Sequence, residues 1–262
     1  MEFTHCWAVV LRHARLWMRD VNLILVTLYW PLLDVLIWGF IGSWMQRNQN
    51  TSADYTAICL FAILLWQTTA RSSIIVASTF IEEIMANNLV NLFSLPLRIS
   101  EWISGVILFS SILISFTNLY CMGLIYLFYN IPVFKMLWVT LLFAPPLFLS
   151  GIALGFFCLQ IIVSLGKRAQ ELAFILSWFF APLCGAFYPL DILPEWIQQI
   201  SYCFPMAYAF EGMRNYMIHS INPANYIIIS YALSAVYLAV AVALFIFFFN
   251  RTKIKGLARL SD

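Results

Sequence analysis

MLWVTLLFAPPLFLSGIALGFFCLQIIVS, residues 136–164, contains no acidic or basic side chain. Crossing the hydrocarbon of a bilayer takes about 20 apolar residues as a helix, and this stretch exceeds that length. The rest of the chain has the same character. Of its 262 residues, 63% are hydrophobic and 10% charged, whereas a soluble domain is nearer half apolar and a quarter charged. A soluble interior of this size cannot hide so much apolar surface, so the solvent is lipid. The formal net charge of +2 is small. No basic patch is interleaved with aromatics on a polar background, which argues against nucleic acid as a partner.

Five more segments qualify as spans, at about 22–45, 56–80, 102–129, 172–188 and 226–249. The expected fold is therefore an all-α integral membrane protein with six transmembrane helices, one domain over residues 1–262. The segment at 172–188 is the shortest. Ahead of the first span, MEFTHCWAVVLRHARLWMRD (residues 1–20) carries charge throughout, unlike a cleavable signal peptide. It reads as an amphipathic interfacial helix. Phe3, Trp7, Val10, Leu11, Ala14, Trp17 and Met18 fall on one face, and His5, Arg12, Arg15 and Arg19 on the other.

The basic residues set the orientation. With the N-terminus inside, Arg12, Arg15, Arg19, Arg98, Lys167, Arg168, Arg251, Lys253, Lys255 and Arg259 are cytoplasmic, and Arg47, Lys135 and Arg214 lie outside. Ten against three makes both termini cytoplasmic. Two inward loops then stand out. IEEIMANNLVNLFSLPLRISEW (residues 81–102) predicts a short helix over about 82–94. Its free polar face carries Glu82, Glu83, Asn87, Asn88 and Asn91, its apolar face Ile84, Met85, Leu89, Leu92 and Phe93, and Pro96 stops it. The second loop, Gly166–Glu171, is compact and charged. Neither is large enough to fold as a domain, so any energy supply must come from another chain.

Enzyme motifs are missing. Gly166-Lys167 is followed by Arg168 and lacks the upstream glycine of a phosphate-binding loop, no H-E-x-x-H occurs, and His5, His13 and His219 are dispersed. No metal site is expected. The six cysteines (Cys6, Cys59, Cys121, Cys158, Cys184 and Cys203) have no C-x-x-C spacing and read as small apolar fillers. Gly151 and Gly155 form a G-x-x-x-G suited to close helix packing.

Two charges fall inside spans: Asp34 near the middle of the first and Arg71 in the second. A lone charge at the bilayer centre costs roughly 3 kcal/mol on insertion scales, so such residues find partners or water. A short outer loop joins these spans, and the arginine side chain is long. Asp34 and Arg71 are thus expected to pair, directly or through Gln67 and water. The pair either locks the helices or lines a polar pathway.

Between the last two spans lies FYPLDILPEWIQQISYCFPM (residues 187–206). Pro182 and Pro189 interrupt helical bonding, Pro194 opens a new helix, and Pro205 ends it. Trp196, Ile197, Ile200, Cys203 and Phe204 give that helix an apolar face. Too short to cross and too apolar for water, the segment over about 189–215 is expected to dip into the outer leaflet and turn back, as plug or gate.

Pro189-Leu-Asp-Ile-Leu-Pro194-Glu-Trp196-Ile-Gln-Gln-Ile-Ser, then Phe204-Pro-Met-Ala-Tyr208 and Glu211-Gly-Met-Arg214, resembles the C-terminal signature of the ABC transporter type-2 permeases. Phe204 stands where that family often has asparagine. The similarity extends to the N-terminal helix, the six spans, the helix after the second span and the outer re-entrant helices. The resemblance implies an exporter half in the bacterial plasma (inner) membrane: two copies of this chain with two ATP-hydrolysing subunits beneath. ATP and magnesium would sit on those partners, with no cofactor in this chain. By the same resemblance Glu82, Glu83, Asn87 and Asn88 dock on the ATPase, with Lys167, Arg168 and Glu171 as a secondary contact. Pro189, Pro194, Trp196, Glu211 and Arg214 belong to the outer gate, where Glu211 and Arg214, three apart, are spaced to pair. The implied cargo is amphipathic: a drug-like molecule, a lipid or a lipid-linked polysaccharide. The alternatives are a membrane scaffold without transport and an intramembrane enzyme.

Overall fold

The computed structural model describes residues 3–48, 54–86, 88–94, 96–165 and 170–255, and every regular element among them is helical. The elements are α1 (Phe3–Arg19), α2 (Val21–Asn48), α3 (Tyr55–Met85), α4 (Leu89–Ser94) and α5 (Ile99–Tyr129). There follow α6 (Val133–Leu165), α7 (Gln170–Leu183), a single 3-10 turn (Leu190–Ile192), α8 (Glu195–Ser201), α9 (Pro205–His219) and α10 (Ala224–Lys255).

Five of these, α2, α3, α5, α6 and α10, are long and apolar enough to cross a membrane. The expected crossing at 172–188 corresponds to α7, which has 14 residues and stops at Leu183. At 1.5 Å per residue α7 is about 21 Å long, short of a hydrocarbon core of about 30 Å. The early stop has a local cause. Gly185 adopts a left-handed φ of 65°. Ala186 N then donates to the Ala181 carbonyl at 3.2 Å and Gly185 N to that of Pro182 at 3.4 Å, the paired bonds of a Schellman terminus.

Helix α3 is the axis of the bundle. Most of its span is buried, whereas the outer helices α2 and α10 turn most of their surface outward. Small residues let α6 approach it closely. A Cβ on Gly151 would run into Ser72 Oγ and the Thr69 carbonyl, and one on Gly155 would lie 2.7 Å from Val76 Cβ. The G-x-x-x-G therefore serves as a packing face. Serines stitch α6 to α10, with Ser234 Oγ 2.8 Å from Ser150 Oγ and 3.0 Å from the Pro146 carbonyl.

Helix α1 lies across one end of the bundle, mainly against α5. Gly105 makes room for it, since a Cβ there would sit 2.6 Å from Val9 Cβ. The face of α1 buried against the bundle is Cys6, Val9, Val10 and His13, whereas Phe3, Trp7, Leu11 and Met18 of the expected interfacial face stay exposed. Polar anchors decide which way α1 turns. His5 Nδ1 lies 3.1 Å from Glu101 Oε2 on α5, and Arg12 meets Glu83 on α3.

The helix expected over 82–94 is divided. Glu82 and Glu83 complete the last turn of α3, and α4 is a separate six-residue helix. Leu89 and Leu92 are buried, and the Phe93 ring packs on Phe249 of α10 at 4.8 Å.

Candidate functional site

A cavity of about 750 Å³ opens between α1, α2, α3 and α5, with Trp178 of α7 at its edge. Both intramembrane charges line it. They are not in direct contact. Gln67 stands between them, donating from Nε2 to Asp34 Oδ2 and accepting from Arg71 Nε at 2.7 Å. Positions 67 and 71 are one turn apart on α3, so the amide and the guanidinium share a face. That face continues along the cavity through Ser78 to Glu82, a polar stripe in a mostly apolar wall that also carries Thr27 and Thr117.

At the α1 end the cavity is closed by His13 and Trp17. Trp17 Nε1 donates to Thr27 Oγ1 at 3.2 Å, tying α1 to α2. His13 is 2% exposed, and neither ring nitrogen has a hydrogen-bonding partner. Its Nδ1 is 4.0 Å from Glu82 Oε2, and its ring packs on Phe109. Burial pushes its pKa down to about 4, outweighing the attraction of Glu83.

Glu83 does not present a free polar face. It is 1% exposed, and its carboxylate collects three donors. Arg12 gives Nε to Oε1 at 2.7 Å and Nη2 to Oε2 at 2.9 Å, and Asn88 gives Nδ2 to Oε2 at 2.7 Å. A bidentate guanidinium fixes both distance and orientation. One carboxylate thus joins α1, the end of α3 and the start of α4. Glu82, one residue earlier, is partly open, and Met85 is 64% exposed. Asn87, Lys167 and Arg168 lie outside the described residues, as does the side chain of Glu171 in α7.

The opposite end of the bundle holds the segment expected to lie on the outer side. Pro189 caps the 3-10 turn and Pro194 caps α8, as their fixed φ favours. Pro205 does not end α8, which stops at Ser201; it is the first residue of α9, the position proline prefers in a helix. The cap residue of α9 is Phe204, with no side-chain cap bond. Trp196 is 65% exposed. Glu211 and Arg214 do pair, at 3.1 Å, and both reach back along the chain. Glu211 Oε1 accepts from Leu190 N at 3.0 Å, and Arg214 donates to the Gly185 carbonyl. Phe187 stacks on Trp38 with ring centres 4.8 Å apart and meets Trp66 edge-on. These contacts bind the segment into the bundle.

Sequence reasoning passed over His13, Arg12 as the partner of Glu83, and Gly185. Only Gly185 carried a local signal: a glycine two residues past a helix ending in Pro182-Leu183.

A family model described as ABC-2 type transporter matches residues 4–218, from α1 through nearly all of α9. No curated protein matches the chain. The chain therefore belongs to the ABC-2 type transporter family, whose membrane domain is the transmembrane permease component.

Proposed function

We propose that this chain is the permease subunit of an ATP-driven exporter, working as two copies with separate ATPase subunits docked at the α1 end. The carrying observation is the clamp at Glu83. The α3–α4 elbow ends in an accessible turn, with Glu82 and Met85 uppermost, and its next residue is bolted to α1 through Arg12. Force applied at the elbow is transmitted to α1, α3 and the cavity wall together. In this reading Glu82, Asn87 and Asn88 face the ATPase, Glu83 transmits, and Lys167, Arg168 and Glu171 form a second contact. ATP and magnesium act on the partner.

The excess of basic residues at this end supports its being cytoplasmic, in the bacterial inner membrane. Helix α7 and the turn after it then make the sixth crossing, and α8 with α9 dips into the outer leaflet. The cargo is amphipathic, in keeping with a cavity whose mostly apolar wall carries a polar stripe on α3 and the Asp34 carboxylate.

Cysteine at Met85 in an otherwise cysteine-free chain, co-expressed with its ATPase, tests this. Cross-linking to the ATPase that changes with nucleotide is expected. If no ATPase chain co-purifies, or if position 85 reacts with an impermeant reagent from outside, the reading fails.

A further inference from the structure

The cavity holds two charges that the protein leaves half-satisfied. Among the described residues Arg71 bonds only through Nε and Asp34 only through Oδ2, both to Gln67. The terminal guanidinium nitrogens and Asp34 Oδ1 have no hydrogen-bonding partner there. Gln67 keeps acid and base one amide apart, so they do not quench each other as a direct ion pair. Charges in an apolar surrounding are costly unless matched. An anionic ligand would satisfy Arg71 and be repelled by Asp34; a cationic ligand would meet the reverse. A ligand carrying both signs, spaced like the protein pair, satisfies both.

The remainder of the wall indicates the rest of the ligand. Val26, Trp30, Ile74, Ile75, Leu113 and Trp178 are apolar, and a volume of about 750 Å³ falls within the range of small-molecule sites. The other ionisable groups lining the cavity, Glu82 and His13, belong to its far end. Glu82 is eleven residues from Arg71 on α3, about 17 Å along the axis, too far to serve the same headgroup.

We propose that this cavity binds a single-chain zwitterionic amphiphile, with its ammonium on Asp34, its oxyanion on Arg71 and its apolar chain along Val26, Ile74 and Leu113. The site lies within one copy of the chain. It deepens the transport reading by naming a ligand class and rests on that reading only for the membrane medium, since binding needs no ATPase.

The full chain in maltoside micelles, without ATPase, is titrated with lysophosphatidylethanolamine and followed by native mass spectrometry. The comparison ligands are lysophosphatidylglycerol (anionic), an alkylamine of equal length (cationic) and glycerophosphoethanolamine (headgroup alone). The zwitterionic lipid is expected to bind at least about tenfold tighter than each of the three. Arg71→Gln is expected to shift preference toward the alkylamine, and Asp34→Asn toward lysophosphatidylglycerol, inversions that a purely structural pair would not produce. Leu113→Trp, which fills the cavity and spares the charges, is expected to abolish binding. Affinities within threefold across the ligands overturn the proposal, as does a preference unmoved by both charge variants. The ligand comparison needs only the natural chain, so a variant that misfolds does not shield it. Failure here leaves the ATPase cross-link untouched, and the reverse also holds.

Discussion

Arg214 reaches back twenty-nine residues to bond the Gly185 carbonyl while its other terminal nitrogen holds Glu211 at 3.1 Å. The guanidinium is almost fully buried, and burial lowers its pKa against the pull of Glu211. It therefore secures the left-handed turn that ends α7, and through Glu211 the backbone of Leu190. Removing one partner of a buried pair costs about 3 kcal/mol or more, because the other is left unpaired. Arg214→Ala is expected to lose that much in thermal unfolding. Arg214→Lys is expected to recover little, since a single ammonium cannot reproduce a planar fork aimed at two acceptors. A melting temperature unchanged in Arg214→Ala would show that the turn stands without it.

The clamp at Glu83 is expected to behave as a coupled unit. Arg12→Ala, which leaves the buried Glu83 carboxylate without its cation, should destabilise the chain by about 3 kcal/mol. Glu83→Gln should cost less, because Arg12 is 40% exposed and stays solvated, and the double variant clearly less than their sum. Limited proteolysis adds a local readout: cleavage within α1 should rise in both single variants. Additive losses would mean that Arg12 and Glu83 do not act through each other.

His13 makes stability depend on pH. Its folded pKa of about 4 lies below the ordinary 6.5, so the unfolded chain takes up the proton first. The stabilisation is complete above pH 6.5 and is lost as pH falls from 6.5 toward 4, on the order of 3 kcal/mol across the window. Glu82, Glu83 and Arg12 face the same ring and stay in place in His13→Phe. Burial raises the Glu82 pKa to about 7, which adds stability as pH falls and offsets His13. The readout is therefore the difference: the melting temperature of His13→Phe relative to the natural chain should rise as pH falls from 7 to 5. Parallel curves would count against a neutral buried imidazole.

Close approach of α6 to α3 depends on the absence of side chains at positions 151 and 155. Gly151→Leu places bulk against Ser72 and the Thr69 carbonyl, so overpacking of about 1–3 kcal/mol or more is expected. Gly123→Leu, where a Cβ meets nothing within 4 Å, should be tolerated. Equal behaviour of the two variants in detergent unfolding would refute the packing role.

Much of the fold is legible in the chain. Apolar runs located α2, α3, α5, α6 and α10 to within a few residues, because lipid forces each backbone to satisfy its own hydrogen bonds as a helix. The residues that carry the family resemblance were legible too, and the match over residues 4–218 agrees with them. A pairing of Asp34 with Arg71, directly or through Gln67 and water, was expected, and only the fold chose the bridge through Gln67. The partners of Glu83 did not follow. Its polar face at 82–88 reads as a solvated surface until Arg12, seventy-one residues away, is brought to it. The inward face of α1 did not follow either, because periodicity finds the most apolar arc and not the arc that polar anchors turn toward protein.

From composition and spacing alone come the lipid medium and five of the helical spans, since each depends on local burial. The family came from the resemblance of residues 189–214 to its signature. The division of the 82–94 segment, the early end of α7, the buried state of Glu83 and His13, and the meeting of Asp34, Gln67 and Arg71 on one cavity come from the folded arrangement. Each depends on which helix lies opposite, and a charge acquires its role from the partner that packing sets against it.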